Sequence, residues 1–407
     1  MPAARTTPPI RAIEQFEALE ATLWDRTRDC FEGLEDWRKE RGKRHPLADV
    51  VLIALIAMIC GADDADEISA WAEEHTEWLS PWFSLEHGTP SQDTFLRVFA
   101  ALEPKALRET FAKFVELLVS PERRGHIAID GKTLRGSFDA ASGKAAVHVV
   151  SAWLNDLGLV LGQVKTEAKS NEITAIPLLL KQLRLEGCTV TIDAAGCQKE
   201  IARAIVDGGG HYVLAVKGNQ PTLHQDILKL FAEGRDARRR SRDELERPRI
   251  ESVEDTDNGH GRVEKRTAYL SRDLSWLSTA EAWPGLRAVG MVASESMHER
   301  TGKRSEDQRT FIVSDAELNA AGLLKHVRDH WGVESKLHWV LDVDFGEDAS
   351  RVRAGFAAEN LAVLRHTALN LLRHEKSYTK SVKLKRKRCA WRRDYLLSVL
   401  GAPVVQA

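Results

Sequence analysis

The stretch His126–Ser137, HIAIDGKTLRGS, decides how the rest of the chain is read. Its first half is an apolar run of strand length that ends in a carboxylate, Asp130, and Gly131 follows where a glycine permits a sharp turn. A second stretch repeats the design: in Thr189–Gly196, TVTIDAAG, another β-branched run delivers Asp193. One aspartate in such a position is accounted for by a turn or a helix cap. Two of them point to carboxylates brought to one place near strand ends. Like charges a few ångströms apart raise one another's pKa unless a cation lies between them, and hard oxygen donors suit Mg²⁺ or Mn²⁺.

Outward from these two aspartates the periodicity sets the fold class. Strands are expected at Ile127–Asp130, Ala146–Leu154 and Leu159–Lys165, the last two joined as a hairpin through Asn155–Gly158. Asn171–Leu185 reads as a helix that Pro177 kinks or whose start it delays. Thr189–Asp193 and Tyr212–Val216 are further strands, and Gln198–Val206 and Pro221–Phe231 further helices. The order βββαβαβα predicts an α/β layer architecture with a mixed sheet and flanking helices, in which chemistry collects at strand ends.

On the amino-terminal side, Ile10–Leu118 carries helical signals throughout: an amphipathic Ala12–Trp24, a buried helix in Leu47–Ala62 ended by Gly61, a helix over Asp66–Trp78, and another entered at Ser91–Thr94 with Ser91 as its cap. This predicts an all-helical amino-terminal domain over residues 1–118. Residues 232–320 break the alternation with an arginine-rich linker and short strands at Val263–Leu270, Ala288–Ser294 and Arg309–Val313, a β-rich insertion. Leu323–Val340 and Asn360–Leu372 return to helix. The expected catalytic unit is therefore 119–375, followed by a basic tail over 376–407.

At 407 residues the chain has room for two or three domains, and 43% apolar with 29% charged residues is ordinary for a globular protein. Five cysteines without a CxxC pair argue against a disulfide framework or a zinc site and for a reducing cytosol. The most apolar run, Val50–Cys60, is too short to span a bilayer, and no secretory signal pattern opens the chain, so no membrane role is expected. The net charge of −2 carries no sign of nucleic acid, but Lys376–Arg393, KSYTKSVKLKRKRCAWRR, contains no acid and would attract phosphate, with Tyr378 and Trp391 interleaved.

Phosphoryl chemistry with two metal ions needs a third acid. Glu334 is the candidate, since it stands in an aromatic-rich helix where an unpaired charge is costly, and His330, Glu334 and His338 at spacings of four share a face. Glu347 and Asp348 are rival third ligands, with Asp342 and Asp344 behind them. A metal hydrolase built on His330, Glu334 and His338 is a weak competitor, because the three spread over about 12 Å along a helix axis.

The sequence resembles the H-repeat-associated (ISAs-type) insertion-sequence transposases, members of the DDE superfamily. The stretches that carry the resemblance run in order from about Arg44 to Leu372: RHPLADVVLIALIAMICGADD, TPSQDTFLRVF, IAIDGKTLRGS, EAKSNEITAIPLLL, VTIDAAGCQ, YVLAVKGNQ, HGRVEKR, HWGVESKLHWVLDVDFGEDASRVR and AENLAVLRHTALNLL. The resemblance implies a ribonuclease-H-like catalytic domain interrupted by the insertion, Asp130, Asp193 and Glu334 as catalytic triad and metal ligands, and an HGR element on His260–Arg262. Where wider relatives carry Tyr, Arg and Lys around the catalytic glutamate, this chain has Val327, His330 and Leu341.

The function expected is a Mg²⁺- or Mn²⁺-dependent DNA transposase, cleaving element ends and transferring them to target DNA in the bacterial cytoplasm at the nucleoid. The resemblance adds a homodimer on double-stranded DNA. Lys132, Arg135, Lys217 and Arg262 are the basic residues expected to hold backbone phosphates. The competing expectations are a metal-dependent nuclease without strand transfer and a non-catalytic DNA-binding derivative.

Overall fold

Through the described residues of this computed structural model, 22–402 apart from 121, 123, 141–142, 168–170, 241–248 and 260, one sheet and one buried helix organise the remaining elements. The expected helix Ala12–Trp24 falls almost wholly outside that range. The first six helices are α1 (Leu23–Glu32), α2 (Leu47–Ile59), α3 (Ala65–Glu74), α4 (Thr76–Leu79), α5 (Gln92–Ala101) and α6 (Pro104–Leu118). In α2 every residue from Val50 to Ile59 is buried, as an all-apolar helix requires. The helix expected over Asp66–Trp78 breaks at His75. There the imidazole Nδ1 meets the Trp71 carbonyl at 2.8 Å and the Thr76 hydroxyl donates to the Glu73 carbonyl at 2.7 Å, competing with the helix for its acceptors. Ser91 stands at the start of α5 without capping it by its side chain.

The sheet contains β1 (His126–Leu134), β2 (Val147–Leu154), β3 (Leu159–Lys165), β4 (Thr189–Ile192), β5 (His211–Val216), β6 (Ile250–Gly259), β7 (Arg262–Ser271), β8 (Ala288–His298) and β9 (Arg304–Val313). Their spatial order is β3-β2-β1-β4-β5-β9-β8-β7-β6. β1 is antiparallel to β2 and parallel to β4, β4 is parallel to β5, and β5 is antiparallel to β9. Strands of the β-rich segment therefore extend the first sheet through β9. β6 had no counterpart among the expected strands, because IESVEDTDNG is mostly exposed and polar, as suits the edge of an antiparallel ribbon.

Between strands run α7 (Glu172–Leu180), α8 (Lys199–Asp207) and α9 (Pro221–Arg240). α7 starts at Asn171, whose side chain accepts from the Ile173 N–H, and carries Pro177 inside. It ends five residues before the Leu185 expected. After the sheet come α10 (Ala320–His330), a π-helical turn over Val333–His338, α11 (Trp339–Asp344), α12 (Ala357–His374), α13 (Val382–Trp391) and α14 (Arg393–Leu400).

α12 is buried from Ala357 to Leu372. It packs against α2, α5 and α6 on one side and β3 and β2 on the other, so the amino-terminal helices and the sheet share one apolar core. Its polar residues pin both sides. Asn360 donates to the carbonyls of Phe99 and Leu102, each at 2.8 Å, and Asn370 pairs with the Val160 N–H and carbonyl, each at 2.8 Å.

The run Lys376–Arg393, expected to offer its charge to phosphate, contains the whole of α13, and three of its cations turn inward. Lys385 donates to the Leu372 carbonyl at 2.7 Å, completing the carboxyl end of α12. Arg386 reaches the Met58 carbonyl at 2.8 Å and Asp63 at 2.7 Å, while Arg388 lies over the rings of Tyr378 and Tyr395 at 4.3 and 4.7 Å. Trp391 remains 73% exposed. Among the described residues no helix is long and apolar enough to cross a membrane.

Candidate active site

Strand register brings the two aspartates together. β1 and β4 run parallel, and Ile129 opposite Ile192 is their last pair. Asp130 and Asp193 are the next residues on each strand. Side chains alternate along a strand, so both point to the same face, on neighbouring strands about 4.8 Å apart. Ile127, Ile129, Val190 and Ile192 pack into the core on the opposite face.

β1 does not turn at Gly131, contrary to expectation; pairing with β2 continues to Leu134 opposite Val147. The glycine answers a different need. A Cβ on Gly131 would lie 2.1 Å from Glu172 Oε1 and 2.4 Å from His148 Nε2. Those two atoms meet each other at 2.7 Å, and His148 Nδ1 reaches the Thr133 hydroxyl at 2.9 Å. Asp193 leaves its strand at once and accepts from the Ala195 and Gly196 N–H groups at 3.0 and 3.3 Å, so it caps a short 3₁₀ turn besides facing Asp130.

The face carrying the aspartates is covered by α10 and the π-helical turn after it. A π-turn is wider than an α-turn, so a four-residue spacing no longer stacks side chains on one line. His330 Nδ1 meets the Thr191 hydroxyl at 2.9 Å, and Thr191 in turn meets His126 Nε2 at 2.7 Å. His338 Nδ1 stands 3.6 Å from Asp130 Oδ2, and burial, then Lys132, pushes its pKa down to about 4, so it is neutral at pH 7. Glu334 is exposed, so the burial cost that singled it out from the sequence does not operate. What ties it to the site is charge: its carboxylate is among those acting on Asp130.

Burial pushes Asp130 up to about 7, aided by the carboxylates of Glu172, Asp193 and Glu334 and opposed by the Gly131 N–H. Asp193 is raised by burial and by Glu172, and lowered by its backbone hydrogen bonds and by Lys217. Glu172 is thus a fourth acid that sequence reasoning missed. It stands in the stretch EAKSNEITAIPLLL, in the first turn of α7, where an acid also suits the helix dipole.

The rival acids are engaged elsewhere. Lys132 binds Asp342, Glu347 at 2.8 Å and Asp348 at 3.4 Å, with its side chain 10% exposed. Expected to hold a phosphate, this ammonium instead lies among three carboxylates that neutralise it. Asp344 accepts from the Lys383 N–H at 3.2 Å. Arg135 is 83% exposed, with Asp348 at 3.5 Å. Lys217 is exposed after β5, near enough to act on Asp193. Arg262 lines a cavity of about 480 Å³ between the ribbon and α10, together with Arg309 and Trp331, three residues before Glu334. His260 lies outside the described residues.

The donors gathered here are carboxylate oxygens whose like charges lie close together, which suits a hard divalent ion. Among the described residues no three His, Cys, Asp or Glu side chains stand close enough as placed to hold one.

The chain is similar to known families over most of its length. A family described as "Transposase DDE domain" matches residues 121–371, and one described as "DDE_Tnp_1-associated" matches residues 28–115. "Putative transposase YncI" of Escherichia coli O157:H7 is 38% identical over 376 residues, covering 92% of this chain and 94% of the relative. "H repeat-associated putative transposase YhhI" of Escherichia coli (strain K12) is 37% identical over 371 residues, covering 90% and 96%. A piggyBac transposase synaptic complex with hairpin DNA gives a TM-score of 0.40 at 12% identity, covering 92% of this chain and 76% of that one, a likeness too slight to build on.

Proposed function

The chain belongs to the family of transposases with a DDE domain, and we propose that it is the DNA transposase of a bacterial insertion sequence, with Asp130, Asp193 and Glu334 holding divalent metal at the point of strand cleavage. The observation that supports this most is the register: two parallel strands end their pairing at Ile129 and Ile192 and present Asp130 and Asp193 side by side on one face. In this reading the sheet is ribonuclease-H-like, 119–375 is the catalytic domain with its insertion at 232–320, and 1–118 is the associated helical domain.

A bound Mg²⁺ or Mn²⁺ would lower the pKa of an attacking water or orient a DNA 3′-OH, and stabilise the leaving oxygen of an in-line displacement. Asp130, which feels the charge of both other acids, would hold the ion together with Asp193 and Glu334. Neutral His338 flanks Asp130 without adding a positive charge that would compete with the ion. The N–H groups of Ala195 and Gly196 hold Asp193 oriented from behind. Glu334 is supported over its rivals because Asp342, Glu347 and Asp348 are all engaged by Lys132. Arg135, Lys217 and Arg262 position DNA phosphates, and Lys132 braces the segment that carries the rival acids. The protein acts in the cytoplasm on nucleoid DNA, as a homodimer that joins two element ends.

The test is cleavage of a labelled duplex carrying the element's end, with Mg²⁺, Mn²⁺ or Zn²⁺, for the wild type and for Asp130→Ala, Asp193→Ala and Glu334→Ala. Loss of cleavage in all three with DNA binding retained supports the triad. Retained activity in Glu334→Ala removes that residue from it. Joined products separate a transposase from a nuclease, and a wild type that binds without cutting in any metal is a non-catalytic derivative.

A further inference from the structure

Lys385, Arg386 and Arg388 of the carboxy-terminal run turn inward, and a second concentration of positive charge, apart from the run's exposed lysines and arginines, lies on the amino-terminal helices. The segment leading into α2, the loop before α5 and α5 itself enclose a cavity of about 680 Å³. Arg38, Arg44, Arg97, His45 and His87 line it, and among the described residues no Asp or Glu does. Arg38 is held by Asp36 through two contacts of 2.8 Å and by the His45 carbonyl at 2.7 Å, which makes it the rigid back of the cavity. Arg44 and Arg97 are exposed and have no carboxylate partner among the described residues.

Three further features point to an anionic occupant. Ser91 stands at the start of α5 without capping it, its hydroxyl turned to Thr94 Oγ1 at 3.2 Å, so the first N–H groups of the helix are open at its positive end. Asp93, the acid of that first turn, does not line the cavity. His45 is 6% exposed, lines the cavity and has no partner for Nδ1. Each charged group here donates hydrogen bonds and none accepts them as a carboxylate would, which complements a ligand whose oxygens only accept. At the rim Trp37 is 43% exposed, a flat face suited to stacking.

We propose that this cavity of the amino-terminal helices binds the phosphate backbone of duplex DNA, through Arg44, Arg97 and the open amino end of α5. The choice of DNA as carrier of the phosphate rests on the transposase reading; the choice of an anion rests on the lining alone. The contact positions DNA and carries no sequence readout of its own.

The experiment is fluorescence anisotropy of labelled duplexes, of unrelated sequence, against the full chain over a range of salt concentrations. The proteins compared are wild type, Arg44→Ala/Arg97→Ala and Arg44→Lys/Arg97→Lys, each checked for an unchanged melting temperature. The alanine pair is expected to weaken binding to all duplexes alike, with a plot of log affinity against log salt shallower by about 2; the lysine pair keeps the wild-type slope. A wild-type slope in the alanine pair overturns the proposal and leaves the transposase reading standing. A wild type that binds no duplex overturns both. In a second arm, inorganic phosphate and a mononucleotide are tested by thermal shift. If they stabilise the wild type alone while the duplex slope is unchanged, the occupant is a free phosphate and the assignment to DNA fails.

Discussion

Replacing Lys132 by Met tests whether β1 is locked to the segment around α11 by charge. The Lys132 ammonium donates to Glu347 Oε2 at 2.8 Å, reaches Asp348 at 3.4 Å and also binds Asp342. Burial alone would lower the pKa of this lysine, but Glu347 and Asp342 hold it above its ordinary value. The Glu347 side chain is 1% exposed, its Oε1 already lacks a hydrogen-bond partner, and its other cation, Arg365, is 3.9 Å away. Methionine fills the space of the lysine stem but leaves that carboxylate without a hydrogen bond. Breaking a buried pair from one side costs about 3–5 kcal/mol, a large share of the ~5–15 kcal/mol that stabilises a folded domain. Asp342 and Asp348, at 32% and 25% exposure, reach water and add less. Neutralising the orphan in Lys132→Met/Glu347→Gln should recover about 2 kcal/mol. Urea denaturation followed by tryptophan fluorescence, run as a double-mutant cycle, measures both terms. A single variant costing under about 1 kcal/mol, or a double variant costing the sum of its parts, refutes the lock.

Gly131→Ala should leave the chain folded but displace the His148–Glu172 pair, whose atoms would stand 2.4 and 2.1 Å from the new Cβ. The expected loss is about 1.5–3 kcal/mol for one charge-assisted hydrogen bond, with DNA cleavage reduced far more than stability; full cleavage activity would count against the site. Asp130 gives a pH dependence. Its carboxyl is pushed up to about 7 from 3.8, so the folded protein holds a proton that the unfolded chain releases. In metal-free protein this contribution is complete below about pH 4 and disappears as the pH rises toward about 7. Melting temperatures across that window should fall less steeply in Asp130→Asn, and saturating Mg²⁺ should offset the loss at the upper end. Asn360→Ala leaves the Phe99 and Leu102 carbonyls buried without their donor, each previously at 2.8 Å; a cost of about 1–3 kcal/mol in denaturant unfolding is expected, and a neutral effect would contradict the pinning role given to α12.

Much of the sheet was legible because strand and helix periodicities are local. The hairpin β2–β3 was legible from apolar runs flanking Asn155–Gly158, with Gly158 at φ 69° where the turn needs a left-handed residue. β6 was not, since an exposed edge ribbon has no apolar alternation to betray it. The π-turn at Val333–His338 was read as continuous helix, because its hydrophobic residues keep nearly helical spacing while the backbone widens. Gly131 was legible as special, but the reason lay in Glu172 and His148, which only folding brings to it.

The sequence by itself determined which residues could form strands and helices, and which acids would stand near strand ends, because both depend on neighbours within a few positions. Only the tertiary structure decided which acids face one another and which cations are free. Lys132 and Glu347 are 215 residues apart in the chain yet 2.8 Å apart in space, so a lysine that reads as a phosphate ligand is neutralised by a carboxylate that reads as a metal ligand. Asp130 and Asp193 meet through a one-residue choice of register between β1 and β4. A slip by one residue would turn either side chain to the opposite face and separate the pair, and it is burial of Ile127, Ile129, Val190 and Ile192 in the core that holds the register.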